Sequence, residues 1–582
     1  MNFIISIGQN SRKDQSDHVR DLITHNNFSF KASSERWIRH STHDDSTLIV
    51  VGYVTEYPDS IDDLLFFFEE CVQTNCHENL KKLSGNFVLI YHSKKTNKVI
   101  LTADITGCIP LYKIKNNNQI IVTSSIKYAT SFSEQNSLNH SAFFASLSLF
   151  SLQPSETFLS NVERFDPEQV IELNTETATV ERTFKFNFHK LVYNAEYRKL
   201  EEIEAAELVK SWLGETTNII VNNGGATIPL SGGLDSSNIW AAVLRQNDLD
   251  HNVSAYTCGH GNYESDESGM VEAWKTNYPE YKYILNTNTF DNLVEYYLQQ
   301  GNERNPGLVL DRAHHSLFIS EHLDHGISSN VITGEGGDEL FAGETSSIAD
   351  LIYSGQIIKA RKTLTALKNS YDDDDFYYGK HRFALGQLLK PKGRILTQLK
   401  LRLRPPKIRL WLNPEKLSEY IRVVGNDNRK QGLLVRPGNF ASQAMLRRYC
   451  YIQNSTFLGE YFHTFSERNM FVFHPLLEYR MLSLSYSLRP ELLVANGFFK
   501  NILRLSLKDI SPQNIVNNRT KHNNATFYGD IADTVSAKYK PMSEWSLVKN
   551  GYIDPTYLNE YRGEWLFIHL YCHETLFQNY DN

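Results

Sequence analysis

The residues able to do chemistry in this chain fall in two glycine-rich turns about a hundred residues apart. The first is Ser231-Gly-Gly-Leu-Asp-Ser-Ser237, entered from the apolar run Ala226-Thr-Ile-Pro-Leu230. Gly232 and Gly233 carry no side chain, so the backbone there can bend sharply and approach an anion. Ser231, Ser236 and Ser237 add hydroxyl donors, and a helix opening at about Asn238 would point its free N–H groups into the same space. The pattern predicts a phosphate cradle. No Gly-Lys-Ser/Thr follows, which excludes the lysine-bearing phosphate loop. Asp235 sits inside the turn instead, and a lone carboxylate beside phosphates suits a Mg²⁺ ligand. The plainer alternative is a glycine turn capped by serines.

The second turn is Asn330-Val-Ile-Thr-Gly-Glu-Gly-Gly-Asp-Glu-Leu-Phe-Ala-Gly343, again an apolar strand ending in glycines. It carries Glu335, Asp338 and Glu339. Acids clustered beside a phosphate site repel one another and the phosphates unless a cation lies among them. Mg²⁺ between Asp235 and Asp338 resolves this. Glu335 is left over as a general base for an incoming amine. The alternative is an acidic surface turn.

The elements that must position these turns follow from the pattern of the chain. After residue 222, strands and helices alternate as a parallel α/β sheet requires. Ligands bind beyond the carboxyl ends of such strands, which predicts that Thr257 and Cys258, ending the strand after the first turn, line an adenine pocket. Asp266-Glu267 follows at a helix start, either for the favourable helix-terminus charge or for a direct role. Residues 1 to about 190 are β-rich, with one amphipathic helix from Ser60 as N-cap. From about 350 the pattern turns helical. The basic stretch 389–410 is either a solvated helix face or a docking surface for an acidic partner or peptide.

Composition bounds the function. A chain of 582 residues exceeds one core, and about two to four domains are expected. The net charge of −8 gives no global attraction to nucleic acid or anionic lipid, and no apolar run is long enough for a membrane helix. No signal peptide is recognisable, and six scattered cysteines without a CxxC pair fit reduced thiols in the cytoplasm.

Ser231–Ser237 after its strand resembles the PP-loop ATP pyrophosphatases, also called adenine nucleotide α-hydrolase-like. Gly334–Gly343 resembles the corresponding turn of asparagine synthetases. Leu83-Ser-Gly-Asn-Phe-Val-Leu-Ile-Tyr, Thr102-Ala-Asp-Ile-Thr-Gly-Cys-Ile-Pro-Leu-Tyr112 and Ile121-Val-Thr-Ser-Ser-Ile resemble the N-terminal glutaminase-like domain of those enzymes. Further on, Ser466–Arg480, Gly497–Arg504 and Asn518–Lys521 resemble segments of their synthetase domain, with Glu478 replacing an Asp and His474 preceding the Pro-Leu-Leu run. The resemblance implies an α/β fold in two parts. Residues 1–190 would form a degenerate Ntn-type β-rich glutaminase-like scaffold, and 191–582 a PP-loop synthetase domain with helical additions. It also implies ATP and Mg²⁺ as cofactors, ATP held by Leu230, Ser231, Gly232, Gly233, Asp235, Ser236, Ser237, Thr257, Cys258 and Gly334, and metal held by Asp235 and Asp338. Lys521, with Arg519 in support, would offset charge at the α-phosphate.

One departure bears on the nitrogen source. Glutaminases of that class use an N-terminal Cys as nucleophile, whereas here Asn2 follows Met1. An inactive glutaminase is expected. The resemblance then implies ATP-dependent amide formation on a branch without that Cys. The expected activity is macrolactam closure in a precursor peptide, as in lasso peptide cyclases, releasing AMP and pyrophosphate. Its partners would be the precursor peptide and a leader peptidase or leader-binding protein, with no nucleic acid and no membrane. The alternatives are an asparagine synthetase or β-lactam synthetase-like enzyme on a small substrate, and a non-catalytic ATP-binding scaffold.

Overall fold

The computed structural model describes residues 2–8, 19–25, 27–116, 118–133, 136–148, 152, 154–246, 252–300, 328–343, 346–370, 412–413, 440–454, 457–518, 525–554 and 565–580. Two antiparallel sheets are built from strands within Phe3–Lys185. One runs Glu163–Arg164, Tyr112–Asn116, Gln119–Thr123, Phe3–Gly8, Phe28–Ala32, Arg20–His25; the other runs Thr179–Lys185, Gln169–Asn174, Lys98–Ala103, Gly85–Ser93, Ser46–Val54, Ile38–His43.

Period-two alternation explains the sandwich. Phe3, Ile5, Ile7, Phe28 and Phe30 share a core with Ile49, Val51, Val88 and Ile90 of the other sheet. The opposite face of the second sheet, through Leu48, Val50 and Leu89, packs on Leu64, Leu65 and Phe68 of the helix Ile61–Gln73. That helix starts where expected: Ser60 Oγ accepts the Asp63 N–H at 3.2 Å.

The second part holds a parallel sheet in the order Lys282–Asn286, Val253–Cys258, Ala226–Pro229, Asn330–Ile332, Phe471–Phe473. Its first strand in sequence lies in the middle. The chain therefore builds outward on one side, then returns to the other, and the crevice between Ala226–Pro229 and Asn330–Ile332 is a topological switch point. Both glycine turns leave the carboxyl ends of those two strands. The sheet thus brings together turns that the sequence separates.

The sandwich is bonded to this sheet by side chains. Trp37 Nε1 donates to Asn330 Oδ1 at 3.0 Å, Tyr53 Oη to Glu478 Oε1 at 2.8 Å, and Thr106 Oγ1 to the Leu477 carbonyl at 2.8 Å. Glu478 is fully buried and also accepts from Thr216 Oγ1 and Arg480 Nε. Burial pushes its carboxyl upward while Arg480 opposes that shift. No described helix is long and apolar enough to cross a membrane.

Candidate functional site

The first turn differs from its sequence-based expectation in one respect. The helix opens at Leu234, not near Asn238, with extended Gly233 as its N-cap. The two glycines complete the bend before Leu234, so Asp235, Ser236 and Ser237 all lie in the first helical turn. Two serines also have a structural part in the turn itself. Ser236 Oγ accepts the Ser231 N–H and Ser231 Oγ accepts the Gly233 N–H, both at 3.1 Å, so these hydroxyls fasten the turn. Ser237 is fully enclosed, and its Oγ has no hydrogen-bond partner among the described residues.

The second turn locks against the first by backbone contact. Its glycines are there for space. A Cβ on Gly334 would lie 2.5 Å from the Ser236 nitrogen, and one on Gly337 only 2.2 Å from Asp235 Cγ. Gly336 has φ +101°, which L side chains rarely adopt. A single π-type turn, Gly337–Phe341, then sets Asp338 and Glu339 beside Asp235. Glu339 Oε2 accepts the Gly336 N–H at 3.2 Å, and burial raises its carboxyl.

Asp235 and Asp338 converge on one cation, the Lys500 ammonium. Its Nζ lies 2.5 Å from Asp235 Oδ2 and 2.9 Å from Asp338 Oδ1. Burial alone would lower the Lys500 pKa, but the two carboxylates outweigh it and the net shift is upward. Lys500 sits at φ 55°, ψ 34°, a left-handed conformation, at the start of the helix Asn501–Leu507. Asn238 Nδ2 donates to the carbonyls of Leu234 and Leu503, tying the helix of the first turn to the helix that carries Lys500. Since one ammonium touches both carboxylates, the same pair would hold a Mg²⁺ ion, which would supply positive charge beside bound phosphates.

Glu335 lies at the bend of the second turn. Tyr461 Oη donates to Glu335 Oε1 at 2.9 Å, and the Glu335 N–H donates to Thr333 Oγ1 at 3.3 Å. Thr333 Oγ1 also pairs with His474 Nδ1 at 2.7 Å, and the His474 N–H donates to Asn86 Oδ1 of the sandwich at 2.6 Å. His474 and Glu478, the two departures in that segment, are therefore structural groups at the interface.

Burial holds the His474 imidazole down at about 3, against an ordinary 6.5. Between those values an unfolded chain binds a proton that the folded one refuses, so stability is lost as pH falls through that window. The loss is at most about 1.4 kcal/mol per pH unit from this group. Denaturant titrations between about pH 7 and pH 4 should show this slope, and His474→Asn should flatten it.

At the expected adenine edge, Thr257 and Leu230 are joined to each other by a side-chain bond. Thr257 Oγ1 donates to the Leu230 carbonyl at 2.7 Å and both residues are buried, so they bind the ends of adjacent strands to each other. Cys258 remains half-buried at the strand end. Asp266 Oδ1 accepts the Ser268 N–H at 2.8 Å in a turn just ahead of the helix, whereas Glu267 Oε2 accepts the Gly232 N–H at 3.0 Å. Arg519 and Lys521 lie outside the described residues, as does 389–410. The segment leading to them is anchored: Arg504 Nη2 donates to the Asn518 carbonyl at 2.7 Å. Sequence reasoning missed Tyr461 and Arg448, whose Nε donates to the Glu339 carbonyl at 3.3 Å; both sit on helices with no motif to mark them.

Residues 221–566 match the family model described as asparagine synthase, more than half of the 582-residue chain. The chain belongs to the asparagine synthase family. Residues 68–185 match the model described as a glutamine amidotransferase domain. No curated protein matches the chain. Membership of the asparagine synthase family makes the protein an ATP-dependent ligase that forms amide bonds.

Proposed function

We propose that this asparagine synthase family member adenylates a carboxylate of a precursor peptide and closes a macrolactam, releasing AMP and pyrophosphate. The observation that carries the reading is the convergence of Asp235 and Asp338 on one cation between two interlocked glycine turns. Mg²⁺ held by that pair would offset the phosphate charge that builds as pyrophosphate departs. A substrate carboxylate oxygen attacks the α-phosphorus of ATP, and the bond to the β-phosphate breaks. An amine nitrogen then attacks the acyl carbon, AMP leaves, and Glu335, oriented by Tyr461, takes the amine proton. Arg519 and Lys521 would stand at the α-phosphate.

The inactive glutaminase rests on the cysteines, and the peptide substrate on the helical half and its basic stretch 389–410. Within 1–190, which we take as the scaffold domain against a synthetase domain of 191–582, the sequence has Cys71, Cys76 and Cys108. Burial pushes the Cys71 thiol up to about 11 and that of Cys108 far above its usual range, so neither is a ready thiolate. Cys76 Sγ donates to the Thr74 carbonyl. Asn2 precedes the first strand, its Oδ1 accepting from Ser466 Oγ at 3.0 Å. On this reading the amine is the peptide's own N-terminus rather than ammonia released from glutamine. The basic stretch 389–410 suits docking of such a peptide, and a leader peptidase or leader-binding protein would be its partner.

The test is incubation of the full chain with Mg·ATP and a precursor peptide bearing an Asp or Glu downstream of its freed N-terminus. The expected product is lighter by one water and resists Edman degradation. Asparagine formed from aspartate with ammonia or glutamine would replace this reading by a small-molecule synthetase. Tyr461→Phe should lower turnover roughly ten-fold or more, less than the roughly hundred-fold low end of acid–base contributions because the base itself is kept, with KM for ATP unchanged. Equal loss in KM for ATP would place Tyr461 at the nucleotide instead.

A further inference from the structure

Two contacts that a magnesium nucleotide would make in this site are made by the protein's own side chains. The Lys500 ammonium bridges Asp235 and Asp338, at 2.5 and 2.9 Å, where the metal would bind. The Glu267 carboxylate accepts the Gly232 N–H at 3.0 Å, a donor of the phosphate-binding turn. The charges match those of the ligands: a cation on the metal ligands, an anion on the anion cradle.

Neither contact is a by-product of local structure. Lys500 holds a left-handed backbone, and its own N–H donates to the Ala342 carbonyl just beyond the π-type turn. Strain of that kind persists only where the surroundings impose it. Glu267 begins the helix Ser268–Asn277, but Asp266 accepts the Ser268 N–H there and leaves Glu267 free to cross to the turn. A Cβ on Gly232 would lie 2.8 Å from Met270 Cγ, on the first turn of the same helix, so turn and helix are in close contact.

We propose that Lys500 and Glu267 are exchangeable counter-ions of the nucleotide site. Lys500 keeps Asp235 and Asp338 together, and Glu267 keeps the Gly232 N–H paired, until Mg·ATP takes both positions. The metal displaces the ammonium because the two cations repel on shared carboxylates. The phosphates displace Glu267 for the same reason with opposite sign. The released ammonium then faces the phosphates, so charge stays balanced throughout. Metal arriving alone must expel Lys500 with no phosphate to receive it, which couples metal binding to nucleotide binding. Lys500 is thus a positioning residue for the metal ligands. The inference rests on the nucleotide reading of the site.

The test is calorimetric titration of the full-length protein with Mn²⁺ alone and, separately, with inorganic pyrophosphate alone. Lys500→Met is expected to bind Mn²⁺ about ten-fold or more tightly than wild type, because a positive charge leaves the two carboxylates. Lys500→Arg should stay close to wild type. Glu267→Gln is expected to bind pyrophosphate several-fold more tightly, roughly the gain from removing one adjacent like charge in a partly solvated site. Lys500→Gln serves if the methionine variant does not fold. Unchanged or weaker Mn²⁺ binding in the folded Lys500 variant overturns the proposal, as does unchanged pyrophosphate binding in Glu267→Gln. Mn²⁺ tightening without any Mg·ATP binding would instead sink the nucleotide reading. Normal Mg·ATP binding without Mn²⁺ tightening would sink the exchange alone.

Discussion

Asp235→Asn and Asp338→Asn should each lower the rate of amide formation roughly a thousand-fold, the scale seen when one element of preorganised charge stabilisation is removed. The two carboxylates meet at one cation, and neither alone offers a hard divalent ion the paired negative charge that the site presents. The fold should survive. Asp338 is half-exposed, so Asp338→Asn should cost about 1 kcal/mol after solvent screening; Asp235 is more enclosed and its replacement should cost more, but Lys500 keeps a partner in either variant. Circular dichroism and denaturant midpoints establish folding, and single-turnover amide formation gives the rate. Turnover near wild type in either folded variant contradicts the metal assignment.

Gly337→Ala should be nearly as damaging, although it adds one methyl group and removes no reactive atom. The new Cβ would lie 2.2 Å from Asp235 Cγ and from Asp235 Oδ1, inside any van der Waals contact. Asp235 must swing away or the second turn must lift, and either movement parts Asp235 from Asp338. Shifts of about 1 Å at a reacting centre cost on the order of a hundred-fold in rate. The overpacking should also cost about 1–3 kcal/mol of stability. Gly355→Ala is an internal control: nothing lies within 4 Å of its added Cβ, although its φ of +78° brings some strain. It should alter stability without altering turnover. A fully active Gly337→Ala would mean that the two turns do not need this contact.

Much of the fold was legible because it is written in local pattern. The strand Ala226–Pro229, the helix after Ser60 and the two glycine turns follow from periodicity, capping and the conformational freedom of glycine. Pairing Asp235 with Asp338 was legible too, since clustered acids beside phosphates demand a cation. Contacts made across the fold were not. The bond from Tyr461 to Glu335 spans 126 residues, and the one from His474 to Asn86 spans 388. No spacing rule connects residues so far apart. Thr257 shows the same limit: its place at a strand end was readable, but its hydroxyl's bond to Leu230 was not. Ser231 and Ser236 were identified as part of the turn, yet which atoms they bond depends on the exact start of the helix.

The central claim is that ATP is cut between its α- and β-phosphates while a carboxylate becomes an amide. Phosphorus NMR of the full-length protein turning over Mg·ATP with its precursor peptide tests that directly. AMP and pyrophosphate should appear together, one of each for every amide formed. ADP and inorganic phosphate in their place would contradict the account.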